Sequence, residues 1–312
     1  MNVARDAIPS RREKDHALKT SNATAFAVAS IAIAIYSGMD AIMKGLSIQS
    51  GAYSAVLWRS VAGVAIAGTV FVARRRRWPT GAALRLHIAR GTTGGLSVLL
   101  FFWGLARVPM AQSVALTFLA PLIALFLAAV TLGERIRRVA IIGSLVATLG
   151  VIVIAAGERG GAASTDHLLG TAAIVVASIL YAVSLVLLRA QAQVADPLEV
   201  TVFTMLVIAV LLAVGAPWFA TTPEWPQMPA ILAAAVLGTI SSLLLAWAYG
   251  RAEAQVLAPV EYTAFLWAAA LGWLVFGEQV STMTVAGTIL IVAGCLVAIR
   301  NPSSAPQTEA SQ

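Results

Sequence analysis

Long apolar runs, broken only by short polar stretches, follow one another from residue 24 to residue 299. Read as helices they fall near 24–43, 52–73, 88–106, 110–132, 139–156, 168–188, 200–219, 230–249, 256–276 and 283–299. Runs of about 20 residues cross the hydrocarbon of a bilayer as single α-helices. The apolar–polar alternation of a barrel strand is absent, so helices must satisfy the backbone in lipid. Breaks between the third and fourth runs, and between the eighth and ninth, are very short. Composition points the same way. Of 312 residues, 59% are hydrophobic and 11% charged, against about 25% charged in ordinary soluble domains. The pattern predicts a polytopic, all-α membrane protein.

The runs are also duplicated. The stretch from Trp103 to Val153 reappears 144 residues later, from Trp247 to Val297. Trp103 and Arg107 align with Trp247 and Arg251, Gly133-Glu134 with Gly277-Glu278, and Gly143 and Gly150 with Gly287 and Gly294. At an offset of 145, Tyr36 meets Tyr181 and Lys44 meets Arg189. A hydrophobic half repeated at fixed spacing is a sign of repeat-built transporters. The halves divide into a basic tail at 1–23, a five-helix repeat at 24–156, a connector at 157–167, a second five-helix repeat at 168–300 and a polar tail at 301–312. Both tails read as disordered.

Charge orients the runs. With the N-terminus in the cytoplasm, 17 of the 21 Lys and Arg fall inside, Arg90 at the inner mouth of the third run among them. Only Lys44, Arg107 and Arg159 fall outside, and Arg59 alone lies well within a run. That bias is the positive-inside rule. Five helices per half is an odd number, so the second half inserts upside down relative to the first. The expected fold is ten transmembrane helices as two inverted-topology five-helix repeats around a central cavity, the architecture associated with alternating access.

The net charge of +7 does not indicate nucleic acid, because the basic residues sit in short loops that anchor helices. The quartet Arg74 to Arg77 reads as such an anchor, with anionic lipid as its alternative partner. Cys295 is the single cysteine and lies in the last run, where packing is its expected role. No metal site is expected, since His16, His87 and His167 lie in the tail or at run ends without ligand spacing. No phosphate loop or nucleophile–base arrangement is present, so no enzyme and no cofactor are expected.

Charges within the spans are expensive and point to function. Glu261 lies roughly 8 Å into the ninth run at the helical rise, with Thr117 as its repeat mate. An acid there can neutralise a cationic substrate group or carry a coupling proton; packing as a neutral hydrogen-bonded acid is the alternative. Asp40 and Arg59 lie at similar depth and are expected to pair near the outer vestibule, as a gate or as a fixed strut. Lys44, one turn on, reads as an interfacial anchor. Tyr36, Trp103, Tyr181, Trp247 and Tyr262 are candidates to stack on substrate, and membrane-interface belts use the same residue types. Gly133-Glu134 and Gly277-Glu278 read as hinges and caps. Gly143, Gly150, Gly287 and Gly294 allow close helix packing. Pro121 breaks the fourth run, and its repeat position carries Phe265.

At "FLAPLIALFLAAVTLGERI" and "PVEYTAFLWAAALGWLVFGEQV", the chain resembles the ten-span EamA-type members of the drug/metabolite transporter superfamily. The resemblance covers residues 24 to 300. It implies a multi-pass protein of the bacterial inner membrane, moving small organic solutes such as amino acids and derivatives, S-adenosylmethionine, vitamins or drugs; the charge bias and the ten runs put both termini in the cytoplasm. The expected partners are that solute, the lipid bilayer and protons as a candidate coupling ion, with a monomer or a homodimer as the assembly. A lipid or precursor flippase is the nearer alternative, and a non-transporting sensor or scaffold the more distant one.

Overall fold

The computed structural model describes residues 11–75, 78–132, 138–156, 165–191, 194–249 and 254–299. They form eleven α-helices in the order α1 Arg11–Ser50, α2 Ala52–Ala73, α3 Gly81–Leu105, α4 Met110–Thr117, α5 Leu119–Leu132, α6 Arg138–Ala156, α7 Thr165–Gln191, α8 Pro197–Phe219, α9 Met228–Tyr249, α10 Ala254–Phe276 and α11 Thr282–Ile299. A 3₁₀ turn at Trp225–Gln227 leads into α9. No strand occurs among the described residues. Six helical segments are long and apolar enough to cross a membrane, and four shorter apolar segments accompany them.

Boundaries follow apolarity only in part. The second run matches α2 residue for residue. In contrast, α1 starts at Arg11 and ends at Ser50, so it takes in about half of the stretch expected to be an irregular tail. Likewise α3 begins at Gly81, seven residues before the apolar run. Arg, Lys, Glu and Ala are strong helix formers, so the backbone stays helical after the apolar stripe ends.

The fourth run is two helices, and proline explains the break. Pro121 has no N–H to give the Thr117 carbonyl, and its ring crowds that turn. The chain departs from α-geometry at Phe118, which separates α4 from α5. Two side chains from other helices satisfy carbonyls beside the break: Ser178 Oγ on α7 donates to Leu116 O at 3.2 Å, and Cys295 Sγ on α11 to Phe118 O at 3.3 Å.

Helices pack in pairs that respect the duplication. Across the halves α1 lies on α9 and α3 on α7; these are the first and third helices of opposite halves. The second helices, α2 and α8, pair with each other, as do the last ones, α6 and α11. Equivalent helices run antiparallel. On α6 and α11 a Cβ at Gly150 would stand 2.5 Å from the Gly287 carbonyl oxygen, and Gly294 packs on Gly143. Small residues bring these backbones into contact where lipid offers no hydrophobic drive. On α2 and α8, Tyr53 meets Gly215 and Phe219 at one end, while Phe71 meets Phe203 at the other, ring centroids 5.7 Å apart.

Burial differs between the two ends of the bundle. Where α1 terminates, one continuous core joins Met43, Leu46, Leu57, Leu105, Val108, Met110 and Ile231, drawn from α1, α2, α3, the loop to α4, α4 itself and α9. Toward the opposite end the buried side chains among the described residues form smaller groups. Ala25, Ala29, Ala248 and Val260 hold α1, α9 and α10 together. Ala67, Phe71, Val202 and Phe203 hold α2 to α8, and Ala120, Ala124 and Ala182 hold α5 to α7. Among the described residues, burial is densest where α1 terminates, here called the sealed end, and the smaller groups lie toward the opposite, parted end.

Candidate functional site

A group of polar side chains occupies the middle of the bundle. Tyr36 and Asp40 project from α1, Arg59 from α2, Arg90 from α3, Tyr181 from α7 and Glu261 from α10. Tyr36 lies within electrostatic reach of Asp40, Arg59 and Arg90, and Tyr181 of Tyr36, Arg90 and Glu261. Tyr181 is 46% exposed although these groups surround it, and Glu261 is also exposed. Both therefore keep accessible surface within reach of this polar group. Toward the sealed side, exposure falls to 8% at Asp40 and 4% at Arg59.

Asp40 and Arg59 are neighbours but form no ion pair, contrary to the pairing expected from sequence. The Arg59 guanidinium turns to Met39 instead, its Nη1 donating to Sδ at 3.7 Å, and lies 5.8 Å from the Phe102 ring centroid. Thr117, the repeat mate of Glu261, closes the last turn of α4 by donating to Val114 O at 2.7 Å. Tyr262 packs edge-on against Phe118 at 5.1 Å, beside the α4–α5 break.

Trp103 stands apart from this group. Trp103 lies under the Arg107 guanidinium, 3.7 Å from its ring centroid. It lines an apolar crevice of about 410 Å³ with Tyr53, Leu99, Leu100, Ala173 and Phe219. Trp247 is 36% exposed in the last turn of α9. Gly133 and Glu134 fall outside the described residues. Gly277 takes φ 67°, a left-handed conformation without penalty for glycine. Its N–H donates to Trp273 O at 3.0 Å and ends α10.

Glu278 does more than cap its own helix. Its Oε2 accepts the Met110 backbone N–H at 2.7 Å, at the start of α4. Its Oε1 accepts from Lys44 Nζ, which also donates to Val108 O at 2.8 Å. Lys44 is 3% exposed, so it is an interior ion-pair partner and not the interfacial anchor expected of it. The pair ties α1 to the end of α10 and the start of α4, across the sealed end. Sequence placed both residues at the ends of apolar runs. Their meeting, 234 positions apart, had no local signal.

A second polar network joins α3, α7 and α8 on the parted side. Arg90 Nη1 donates to Thr204 Oγ1 at 2.7 Å and to Gln191 Oε1 at 3.2 Å. Gln191 Nε2 meets His87 Nδ1, and His87 Nε2 lies 2.9 Å from Glu199 Oε1. The chain reads in one direction: Arg90 donates to Gln191, Gln191 to His87 Nδ1, and His87 Nε2 to Glu199. Sequence placed His87 at a span end because the third run was cut at residue 88. In fact it is 1% exposed within α3. Among the described residues, no group of three His, Cys, Asp or Glu side chains could hold a metal.

Comparison with known proteins bears on what such a bundle does. The model of the EamA-like transporter family matches residues 23–156 and again residues 168–300. The chain is 28% identical to the pseudopaline exporter CntI of Pseudomonas aeruginosa over 275 residues, covering 85% of this chain and 92% of that protein. It is 24% identical to a riboflavin transporter of Rhizobium johnstonii over 220 residues, covering 69% of this chain and 70% of that protein. A solved crystal structure superposes with a TM-score of 0.58 at 21% identity, over 89% of this chain and 97% of that one, a likeness of fold.

Proposed function

The chain belongs to the EamA-like transporter family, within the drug/metabolite transporters, and on that premise we propose that it moves a small organic solute by alternating access. It is a membrane protein built of transmembrane helices, and its family transports. Ten crossings follow if the four shorter apolar segments also span, with α4 and α5 as one broken crossing. The carrying observation is the asymmetric core. Among the described residues, the buried side chains join most continuously at one end and form smaller groups toward the other, with exposed Tyr181 and Glu261 between the helices. With both termini cytoplasmic, as the basic loops suggest, the parted side faces the cytoplasm.

In this reading Glu261 recognises a cationic group or exchanges the coupling proton. Tyr36, Tyr181 and Tyr262 supply aromatic surface, and Thr117 at the α4–α5 break supplies a hydroxyl. Antiparallel packing of equivalent helices supports an inverted repeat, whose two halves can exchange roles as the cavity switches sides. The test compares metabolites inside and outside cells expressing wild type or Glu261→Gln at matched levels. Solutes that shift with wild type alone support the role of Glu261; normal pH-dependent transport by folded Glu261→Gln removes it.

The apolar crevice beside Trp103 favours a second reading, a lipid or precursor flippase, because an acyl chain suits it. Flipping of a headgroup-labelled lipid by wild type in proteoliposomes, with no soluble metabolite shifting in cells, would select that reading.

A further inference from the structure

We propose that Arg59 is the carboxylate-binding element of the substrate site, so that the transported solute carries a carboxylate. The inference rests on the transporter reading and names a chemical class for its cargo. A guanidinium has five N–H donors in a planar fork and stays charged in proteins. At 4% exposure, Arg59 gives those donors one acceptor, the thioether of Met39 at 3.7 Å, and its buried Nε has no partner. The Nε atoms of Arg90 and Arg107 are likewise without a partner, but the other interior cations Lys44 and Arg90 each hold two oxygen acceptors. Lys44 holds Glu278 and the Val108 carbonyl, and Arg90 holds Gln191 and Thr204.

Asp40, the neighbouring acid, does not complete the fork. It remains within electrostatic reach of Arg59 without an ion pair. A cation left this way in a low-dielectric interior is strongly disfavoured unless a partner is supplied. Beside it α9 carries glycine at position 238, where a Cβ would stand in van der Waals contact, 3.6 Å from Nη1, so the absent side chain brings α9 close to the guanidinium. On the side of Arg59 toward the parted end lie Tyr36 and then Arg90, both within electrostatic reach of one another. A solute entering along these residues would meet Arg59 where the bundle closes. A carboxylate fits the fork with two parallel charge-assisted hydrogen bonds, and the flat Phe102 face near the guanidinium leaves its edge free to make them.

The test separates ligand binding from a structural role. Arg59→Met deletes the unpaired charge while keeping bulk. Its melting temperature in nanodiscs should equal or exceed that of wild type, whereas loss of a structural strut would lower it and overturn the proposal. Protein labelled with ¹⁵N at arginine is then titrated with acetate, and with acetamide and chloride as controls. The Arg59 Nε–H resonance, assigned by its absence in Arg59→Lys, should shift saturably with acetate alone. Equal shifts with acetamide or chloride overturn the proposal. In cells, solutes whose distribution depends on wild type should be carboxylates, and their transport should fall by about tenfold or more in Arg59→Met. Transport of solutes without a carboxylate, unchanged in Arg59→Met, also overturns it. Acetate binding with no solute moved by any variant would support the Arg59 site and remove the transporter reading instead.

Discussion

Replacing Glu278 by Gln should open the sealed end of the bundle. The substitution keeps an oxygen for the Met110 N–H but deletes the charge opposite Lys44, whose ammonium is 3% exposed. Removing one member of a buried ion pair costs about 3–5 kcal/mol when nothing relaxes. Here the Val108 carbonyl still accepts from Lys44 at 2.8 Å, and the new amide oxygen can accept as well. About 2–3 kcal/mol is therefore the appropriate loss. All of it falls on the closed arrangement, because Lys44 regains water once α1 moves away from α10. The ratio of open to closed molecules at this end should rise by about 30- to 150-fold.

Ser47, one turn beyond Lys44 and 5% exposed, reports on that change. With Cys295 replaced by Ala, Ser47→Cys becomes the single thiol, and intact cells are treated with a membrane-impermeant maleimide. Labelling should be slow with Glu278 present and faster by about the same factor with Gln, as expected when modification tracks the open population. The charge-swapped pair Lys44→Glu with Glu278→Lys should slow it again in part. A change of less than about threefold (well below 1 kcal/mol), in Glu278→Gln protein that elutes and melts as folded, would show that the ion pair does not hold this end shut.

Four further expectations follow from named contacts. By repeat equivalence Arg189 and Glu134 stand in sequence where Lys44 and Glu278 stand, so Glu134→Gln should bias the protein the other way and slow Ser47→Cys labelling below the reference rate. Gly150→Ala should lower the melting temperature, at a cost of about 1–3 kcal/mol for an overpacked contact, because the new methyl meets the Gly287 backbone; Gly45→Ala, with nothing within 4 Å of its Cβ, is the control and should leave it unchanged. His87→Ala should destabilise the α3–α7–α8 packing by about 1–3 kcal/mol, since the Nε2 of Gln191, a residue at 0% exposure, loses its acceptor; a melting temperature equal to wild type would mean that water replaces the ring. Cys295, 1% exposed and bonded to Phe118 O, should resist maleimide in folded protein and react after denaturation.

Much of the architecture was legible because membrane helices carry local, periodic signals. The apolar run at 52–73 matched its helix at both ends. The glycines aligned between the halves proved to lie on the facing sides of α6 and α11, and Pro121 marked a real interruption. What could not be read depends on tertiary approach. Lys44 and Glu278 each sit where an apolar run gives out, a place usually explained by snorkelling or capping, and nothing local says that the two ends converge. His87 was misjudged because hydropathy cut the third helix short, although arginine-rich and alanine-rich sequence carries it on to Gly81. Asp40 and Arg59 were matched by depth alone. Depth places two side chains in one layer of the membrane, and says nothing of whether rotamers or neighbours let them touch.

That unmade pair bears on how the bundle can switch. An Asp40–Arg59 salt bridge would neutralise both groups and leave the sealed end held by two ion pairs, each adding to the barrier against opening. Among the described residues, the seal has one such pair, Lys44 with Glu278, together with apolar packing. Apolar packing between helices is easily exchanged for lipid or for another helix face. An ammonium parted from its carboxylate in the interior is not, so the Lys44–Glu278 contact sets the energetic scale of closure. Arg59 then remains as a charge for which no described residue supplies a carboxylate partner. A solute that supplies one stabilises whichever arrangement wraps the guanidinium, and differential affinity of that kind is what allows a ligand to shift a conformational equilibrium. Binding and gating would then be linked through adjacent residues on α1 and α2, without a longer pathway. The linkage is measurable: acetate should slow Ser47→Cys labelling when Arg59 is present and have no effect when it is Met.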